Sequence, residues 1–185
     1  MSTKDVVYVA MFAAFTAALG AFPPLTLPLT GVPITAQSLG PMLAGSVLGW
    51  KRAVASQVLF LALVAAGLPL LAGGRGGLGV FLGPSGGFLI GWPIAAGLIG
   101  WTFERSWNGL NFASAFGLVF LGGIVVLYAI GNAWVSVVTD LNYLQATIAS
   151  APFLPGDIAK VAAAAAIAMA LRRSYPLMPA AASQA

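Results

Sequence analysis

The chain has 185 residues, of which 60% are hydrophobic and 6% charged, and its mean hydropathy is +0.98. One water-soluble core of this length cannot bury so much apolar surface, so lipid must cover the remainder. Cysteine and histidine are absent, which excludes disulfides and thiolate sites and removes the commonest catalytic base and metal ligand. The net charge of +4 comes from residues scattered at segment ends, and this pattern argues against nucleic-acid binding.

Uncharged intervals divide the chain into six predicted membrane spans. A hydrocarbon core of about 30 Å takes roughly 20 apolar residues per helix, so there is room for about six helices with short connections. Helices are favoured because the alternation with period two that lipid-facing barrel strands require is missing. We therefore predict an all-α membrane protein with a single integral membrane domain over residues 1–185. The predicted spans are approximately residues 6–22, 35–50, 53–71, 86–103, 112–138 and 158–171.

The positive charges predict how these spans are oriented. Six of the eight Lys and Arg residues fall on one side of the predicted bundle, and these are Lys4, Lys51, Arg52, Arg105, Arg172 and Arg173. Arg75 and Lys160 fall on the other side. Because cytoplasmic loops carry an excess of Lys and Arg, the first side is predicted to be cytoplasmic. A multi-pass membrane protein with both termini in the cytoplasm follows.

The first outer connection, residues 23–33, is rich in proline. Its four prolines cannot continue a helix, so we predict a stiff, extended loop; they are Pro23, Pro24, Pro28 and Pro33. Thr35, Gln37 and Ser38 follow at the outer mouth of the second span. Their uncharged donors and acceptors suit a polar ligand, but they could equally cap the helix that follows. Both interpretations stay open at this point.

The second outer connection, residues 73–87, reads GGRGGLGVFLGPSGG and contains eight glycines. Glycine allows positive φ and close backbone approach. The segment does not match the G-x-x-x-x-G-K-[ST] phosphate loop and no βα unit precedes it. We predict a re-entrant or capping loop over a cavity, with a tight connection between helices as the alternative. Several apolar residues indicate that it packs, namely Leu78, Val80, Phe81 and Leu82.

The third outer connection, residues 139–156, brings polar residues close to PGDIAK, the motif that opens the last span. Asp157 and Lys160 are three residues apart and would share one face of a helix. One interpretation is a helix cap with a local ion pair whose lysine extends to the membrane surface. The other is a ligand site in which Lys160 binds an anion and Asp157 binds N–H groups.

Small residues recur at every fourth position of the first span. Ala10, Ala14 and Ala18 form one such row, and Ala13, Ala17 and Ala21 form another. Such faces let helices approach closely in lipid, so they serve internal packing or docking against another membrane protein. Self-association through them would make a homo-oligomer, which the sequence leaves open.

Three segments together resemble the BioY family, the substrate-capturing S components of energy-coupling-factor biotin transporters. They are VPITAQSLG after the proline-rich loop, LPLLAGGRGGLGVFLGPSGGFLIGW after the third span, and PGDIAK. The resemblance implies an S-component bundle of six helices in the cell membrane of a prokaryote. It further implies that structured outer loops close over one biotin molecule, which is captured at the outer face and delivered inward.

The resemblance also implies roles for individual residues. Asp157 is expected to bind the ureido N–H groups or to belong to the local ion-pair network, and Lys160 to bind an anionic group of the ligand. Further candidates for substrate binding are Gln37, Thr35, Arg75, Ser85, Asn142 and Tyr143. Candidates for the apolar walls are Phe81, Trp92 and Trp134.

By the same resemblance the chain is not an enzyme and needs no cofactor. A transmembrane coupling protein and two cytosolic ATPase subunits would use ATP and supply the energy. The first span is expected to dock the coupling protein through an Ala-xxx-Ala face, in the register Ala10 to Ala14 or Ala13 to Ala17. The whole bundle would then reorient so that the loaded cavity faces the cytoplasm.

Three alternative functions are less consistent with the sequence. An S component for another small vitamin would share the bundle and the alanine faces, but the loop motifs argue against it. An intramembrane enzyme could use Asp140 or Asp157 with Ser or Tyr, yet the chain has four acidic residues and neither His nor Cys. A self-associating structural protein would explain the small-residue faces but not three elaborate outer loops.

Overall fold

The computed structural model describes residues 1–26 and 30–174, and within these ranges the chain is mainly helical. The α-helices are α1 Thr3–Ala18, α2 Leu39–Leu48, α3 Trp50–Ala65, α4 Gly79–Leu82, α5 Gly86–Ser106, α6 Phe112–Phe120, α7 Leu127–Val138, α8 Tyr143–Ala149 and α9 Leu154–Ser174. Short 3-10 helices are Leu19–Ala21, Ala36–Ser38, Trp107–Gly109 and Ala151–Phe153. A π-helix, Leu121–Val126, joins α6 to α7. Strand β1 Leu25–Thr26 pairs antiparallel with β2 Pro33–Ile34.

The all-α prediction is confirmed, and six helical segments correspond to the six predicted spans. Those that are long and apolar enough to cross a membrane, among the described residues, are Thr3–Ala21, Gly86–Gly109, Phe112–Val138 and Tyr143–Arg172. Helices α2 and α3, with 10 and 16 residues, are shorter. Every residue of α2 after the first is buried, so this helix meets protein on all sides and does not have to match the thickness of the lipid.

Several helix ends differ from the predicted span limits, and two of these differences have a clear local cause. Helix α3 stops at Ala65, because Gly67 has a φ of +103° and ends the helix in a Schellman motif. In this motif the N–H of Gly67 donates to Val64 O and the N–H of Leu68 donates to Leu63 O. Helix α9 begins at Leu154, earlier than residue 158, because proline is tolerated in a first helical turn.

Helix α5 lies at the centre of the bundle and α1 at its edge. Of an apolar stretch of 18 residues within Gly86–Gly109, 61% is buried, whereas 17% is buried in the corresponding stretch of Thr3–Ala21. Helix α5 packs against α2, α3 and α7. The α5–α7 contact is close because Gly131 has no side chain, and a Cβ there would overlap the ring of Phe88. The central helix therefore positions residues at both ends of the bundle.

The residues predicted to share one side gather at one end of the bundle. Arg52 forms an ion pair with Asp5 at 2.6 Å, so the first residues of α1 and α3 meet there. Glu104 near the end of α5 accepts a hydrogen bond from the N–H of Trp50. Arg172 near the end of α9 donates to main-chain oxygens that follow α5. The side chain of Arg173 lies outside the described residues.

The described parts of the three predicted outer connections meet at the opposite end. The proline-rich loop contributes the β1–β2 hairpin, with Leu25 opposite Ile34, although Pro28 lies outside the described residues. The glycine-rich loop contains α4, and positive φ values at Gly73, Gly74 and Gly77 let it turn. In it, Val80 and Phe81 pack on the core as predicted, whereas Leu78 and Leu82 are exposed.

Candidate functional site

A cavity lies where the three outer connections converge. The space that the centres of water-sized spheres can occupy is about 60 Å³, and the wider atom-free space, which includes open solvent, is about 580 Å³. Its lining comes from the segment before α2, the glycine-rich loop, and helices α5, α7 and α9. The lining residues are Val32, Pro33, Ile34, Thr35, Gln37, Ser38, Leu71, Arg75, Ser85, Phe88, Leu89, Trp92, Leu127, Tyr128, Phe153, Asp157 and Lys160.

Asp157 and Lys160 form an ion pair in the wall of this cavity. The ammonium nitrogen of Lys160 lies 2.7 Å from Asp157 Oδ1. The helix start at Leu154 explains the pairing, because both residues fall in the first two turns of α9 and three positions apart. The carboxylate of Asp157 accepts hydrogen bonds from Ser38, Tyr128 and Lys160. The predicted local ion pair is therefore present. The carboxylate accepts from side chains, whereas a helix cap would accept from backbone N–H groups.

The three N–H groups of Lys160 have three acceptors on the protein. Lys160 Nζ donates to Asp157 Oδ1, to Ser38 Oγ at 2.9 Å and to the carbonyl oxygen of Thr35 at 2.6 Å. An ammonium group has three donors, so a ligand anion at Lys160 must replace one of these acceptors. Thr35 thus contributes to the site through its backbone carbonyl.

Tyr128 on α7 binds the other oxygen of the same carboxylate. Its hydroxyl donates to Asp157 Oδ2 at 2.7 Å. Its ring meets Phe88 edge-on, with centroids 6.0 Å apart, and Phe153 in a similar arrangement at 6.4 Å. Such edge-to-face pairs restrict the orientation of an aromatic ring. Asp157 is therefore held from the 3-10 helix that precedes α2, from α7 and from its own helix.

Most of the remaining wall is apolar and aromatic. Trp92 is 5% exposed and packs beside Phe60, with ring centroids 5.8 Å apart. Phe88, Leu89 and Phe153 continue this surface. A wall of this kind accepts a ring system or an alkyl chain, so the cavity suits a small ligand with an apolar body and polar groups at its ends.

Arg75 provides a second cation in the lining. Its Nε donates to Ala72 O at 3.2 Å and its Nη1 lies 3.5 Å from Ser85 Oγ. Burial lowers the pKa of Arg75, but a guanidinium starts so far above neutrality that it stays charged. Since arginine has five N–H groups, these two contacts leave donors that can bind a ligand anion.

Gln37 lines the cavity but uses its amide to hold the protein together. Its Nε2 donates to Thr16 O on α1 and to Leu70 O, and its Oε1 accepts from the N–H of Ala72. The side chain is 1% exposed. These bonds connect the end of α1 to the segment that leads to Arg75. The helix cap that the sequence left open would have come from Thr35 or Ser38, and neither side chain makes a capping hydrogen bond.

Four of the predicted residues lie outside the lining. Asn142 is the N-cap of α8, where its side chain accepts from the N–H of Gln145, and Tyr143 is 50% exposed. Phe81 packs on the core next to the cavity. Trp134 donates to Gly83 O from the other side of the glycine-rich loop. Asn142 and Tyr143 begin α8. Phe81 and Trp134 support the glycine-rich loop.

Sequence reasoning missed Tyr128 and recognised Ser38 only as a polar residue at the helix mouth. Tyr128 shares a face of α7 with Asn132, four residues later, which is buried and accepts from Ser150 Oγ at 2.8 Å. Polar side chains inside a span are expensive in lipid and therefore face protein or a cavity. The pair at positions 128 and 132 was the signal that could have identified this inner face.

Within the described ranges, no three His, Cys, Asp or Glu side chains are grouped to hold a metal ion.

The two alanine rows of α1 have different environments. Ala13 is buried and Ala17 packs against the core, so this row faces the bundle. Ala10, Ala14 and Ala18 lie on the neighbouring strip of the helix and are exposed. The fold thus leaves one of the two registers accessible to another membrane protein.

The sequence and fold were compared with known proteins. The family model described as the BioY family matches residues 1–177. The chain is 47% identical to the biotin transporter BioY of Rhizobium etli, over 97% of this chain and 99% of the relative. It is 44% identical to the biotin transporter BioY of Rhodobacter capsulatus, over 94% and 95% of the two chains.

A solved structure has the same fold. It is the crystal structure of the S component for biotin from an ECF-type ABC transporter, which is 34% identical to this chain. The TM-score is 0.91, and the match covers 96% of this chain and 97% of the other. A family-model match over most of the length, relatives well above 30% identity and a shared fold lead to one conclusion: this chain belongs to the BioY family.

Proposed function

We propose that this protein binds biotin with high affinity and is the uptake component of an ATP-driven vitamin transporter. The observation that supports this most directly is the cavity in which Asp157, Lys160 and Arg75 face an otherwise mainly apolar wall. Biotin has a fused ureido ring with two N–H donors, an apolar sulfur ring and a valerate carboxylate. The names of the relatives in Rhizobium etli and Rhodobacter capsulatus also support biotin as the ligand.

In the proposed complex the ureido N–H groups bind Asp157 and the carboxylate meets a cation. Lys160 is one candidate for binding the carboxylate of biotin. To do so, its ammonium group must give up one of the three protein acceptors to which it donates. Arg75 is the other candidate, and it has N–H groups beyond those that donate to Ala72 and Ser85. The aromatic wall at Trp92 and Phe88 would cover the sulfur ring and the alkyl chain.

The proposal extends to the partners and to the location of the protein. A transmembrane coupling protein and two cytosolic ATPase subunits would supply the energy, so this chain itself would need no cofactor and would not use ATP. The exposed row Ala10, Ala14 and Ala18 would dock the coupling protein, and it would also be available for self-association. The charge bias predicts both termini on the cytoplasmic side of a prokaryotic cell membrane.

Equilibrium binding of labelled biotin to the purified chain tests the proposal. Asp157→Ala and Lys160→Ala should each weaken binding at least about tenfold, because a lost charge-assisted contact costs roughly 1.5–3 kcal/mol. Asp140→Ala and Lys51→Ala remove the same charges from exposed positions away from the cavity and should leave the affinity unchanged. No saturable binding by the wild-type chain would reject biotin as the ligand.

A further inference from the structure

We infer that Tyr128 determines specificity in this site, because it orients the Asp157 carboxylate towards ligands that present N–H donors. The inference rests on the proposed function and concerns the end of the cavity at which the ureido ring would bind. Its starting point is the hydrogen bond of 2.7 Å from the Tyr128 hydroxyl to Asp157 Oδ2. Tyr128 itself lines the cavity.

The acceptor capacity of Asp157 supports the inference. An ionised carboxylate offers about four lone-pair sites. Oδ1 accepts from Ser38 Oγ at 3.1 Å and from Lys160 Nζ at 2.7 Å, whereas Oδ2 accepts from Tyr128. The remaining acceptor site is therefore on Oδ2, beside the phenol oxygen of Tyr128.

The direction of the Tyr128 hydrogen bond gives the pair its selectivity. Since the phenol proton points to Asp157, the phenol oxygen is left with lone pairs that can accept a second hydrogen bond. Asp157 Oδ2 and Tyr128 Oη then form two adjacent acceptors. Such a pair binds a group with N–H donors and repels one that offers only acceptors, because unpaired buried polar atoms are costly.

The backbone of this span explains why Tyr128 faces the cavity. The π-helix Leu121–Val126 ends directly before α7. A π turn contains one residue more than an α turn, so it rotates the following residues by about 100° around the helix axis. The ring is then held by its edge-on contacts with Phe88 and Phe153. The π-helix thus connects the local backbone to the orientation of one side chain in the site.

The test measures dissociation constants of four ligands for wild type and Tyr128→Phe. The ligands are biotin, biotin methyl ester, and two analogues that are methylated at one or the other ureido nitrogen. Tyr128→Phe should weaken biotin and the methyl ester by the same factor, about tenfold or more. For at least one N-methylated analogue the penalty should fall to about twofold or less, because that ligand already lacks the affected hydrogen bond.

A purely structural role would give a different pattern. An equal penalty for all four ligands, or an unchanged affinity for biotin, would overturn the inference. Tyr8→Phe removes a hydroxyl on α1 at the far end of the bundle and should change no dissociation constant. Should Tyr128→Phe not fold, Tyr128→Gln is measured with the same ligands, where a ligand-dependent penalty supports the inference and a uniform one overturns it. Failure of the wild type to bind biotin would instead reject the proposed function.

Discussion

The ammonium nitrogen of Lys160 lies 2.6 Å from the main-chain carbonyl oxygen of Thr35, and this contact joins the last span to the segment that leads into α2. The same nitrogen neutralises Asp157, which is 6% exposed. One residue therefore both closes the wall of the cavity and provides a charge for it. Stability and ligand binding should consequently depend on Lys160 in separable ways.

Lys160→Met should lower the melting temperature of the detergent-solubilised protein. The substitution leaves the buried Asp157 carboxylate without its counter-ion, and removing one partner of a buried ion pair costs up to about 3–5 kcal/mol. The double variant Asp157→Asn with Lys160→Met should recover much of this loss, because neither charge then remains. It should still fail to bind biotin.

The matched control for this pair is Lys51→Met at the opposite end of the bundle. Lys51 lies over the ring of Trp50 at an exposed position, so its loss should change the melting temperature little. If Lys160→Met and the double variant melted at the same temperature, the ion pair would not be the source of the stability.

Gln37→Glu should destabilise the outer end of the bundle although it changes only one atom type. The carboxylate still accepts from the N–H of Ala72, but an oxygen replaces the amide nitrogen that donates to Thr16 O and Leu70 O. Each buried carbonyl left unpaired costs about 1–3 kcal/mol. Thermal melting measures the total effect, and amide hydrogen exchange at residues 70–75 shows whether this segment loosens.

Gln145→Glu is the control for that substitution. Gln145 is exposed on α8 and its side chain acts only as an acceptor for the N–H of Asn142 in the capping box. Glutamate fills the same role, so the melting temperature should be preserved. Equal losses for both variants would show that the destabilisation does not come from the buried contacts of position 37.

Ala14→Trp and Ala13→Trp should fail in different ways. Ala14 is exposed and Ala13 is 3% exposed. A bulky side chain at position 14 blocks close helix approach from outside, so cellular uptake should be lost while the purified protein binds biotin normally. At position 13 the same side chain overpacks the bundle and should lower the melting temperature.

Val137→Trp is the control for the docking face, because Val137 is 76% exposed on α7, away from α1. It should leave both uptake and binding intact. Normal uptake by Ala14→Trp would contradict docking through the exposed alanine row.

Arg75→Ala should reveal which cation meets the ligand carboxylate. If Arg75 binds that group, the variant should weaken biotin about tenfold or more. It should affect biotin methyl ester much less, because the ester has no charge to lose. The same ligand pair measured with Lys160→Ala identifies the alternative. An equal loss for biotin and its ester at Arg75 would assign this residue to holding the glycine-rich loop.

The architecture could be predicted from sequence because lipid imposes a simple requirement on composition. Each span needs a long apolar segment with satisfied backbone hydrogen bonds, and charges separate these segments. The exact ends of the helices were harder to predict from sequence. Gly67 stops α3 through a Schellman motif, and this depends on a local φ of +103°. Pro155 precedes the predicted start of the last span at residue 158, yet it lies within the first turn of α9.

The cavity was predictable in part for a different reason. Asp157, Lys160, Arg75, Gln37, Thr35, Ser85 and Trp92 line it, and most of these are polar residues that lipid would not tolerate. Asn142 and Tyr143 have the same polar character but belong to the exposed α8. Polarity alone does not separate a ligand group from a helix cap at the membrane surface.

By itself, the sequence determined that this chain is a mainly helical membrane protein, and it predicted six spans with the unusual segments at one end, because hydropathy and charge decide which parts can enter lipid. Only the tertiary structure decided that Tyr128 faces Asp157 and that Ala10 and Ala14, not Ala13 and Ala17, form the accessible row. The physical reason is that lipid is as apolar as the protein interior. The inner and outer faces of a span therefore look alike in sequence, and packing distinguishes them.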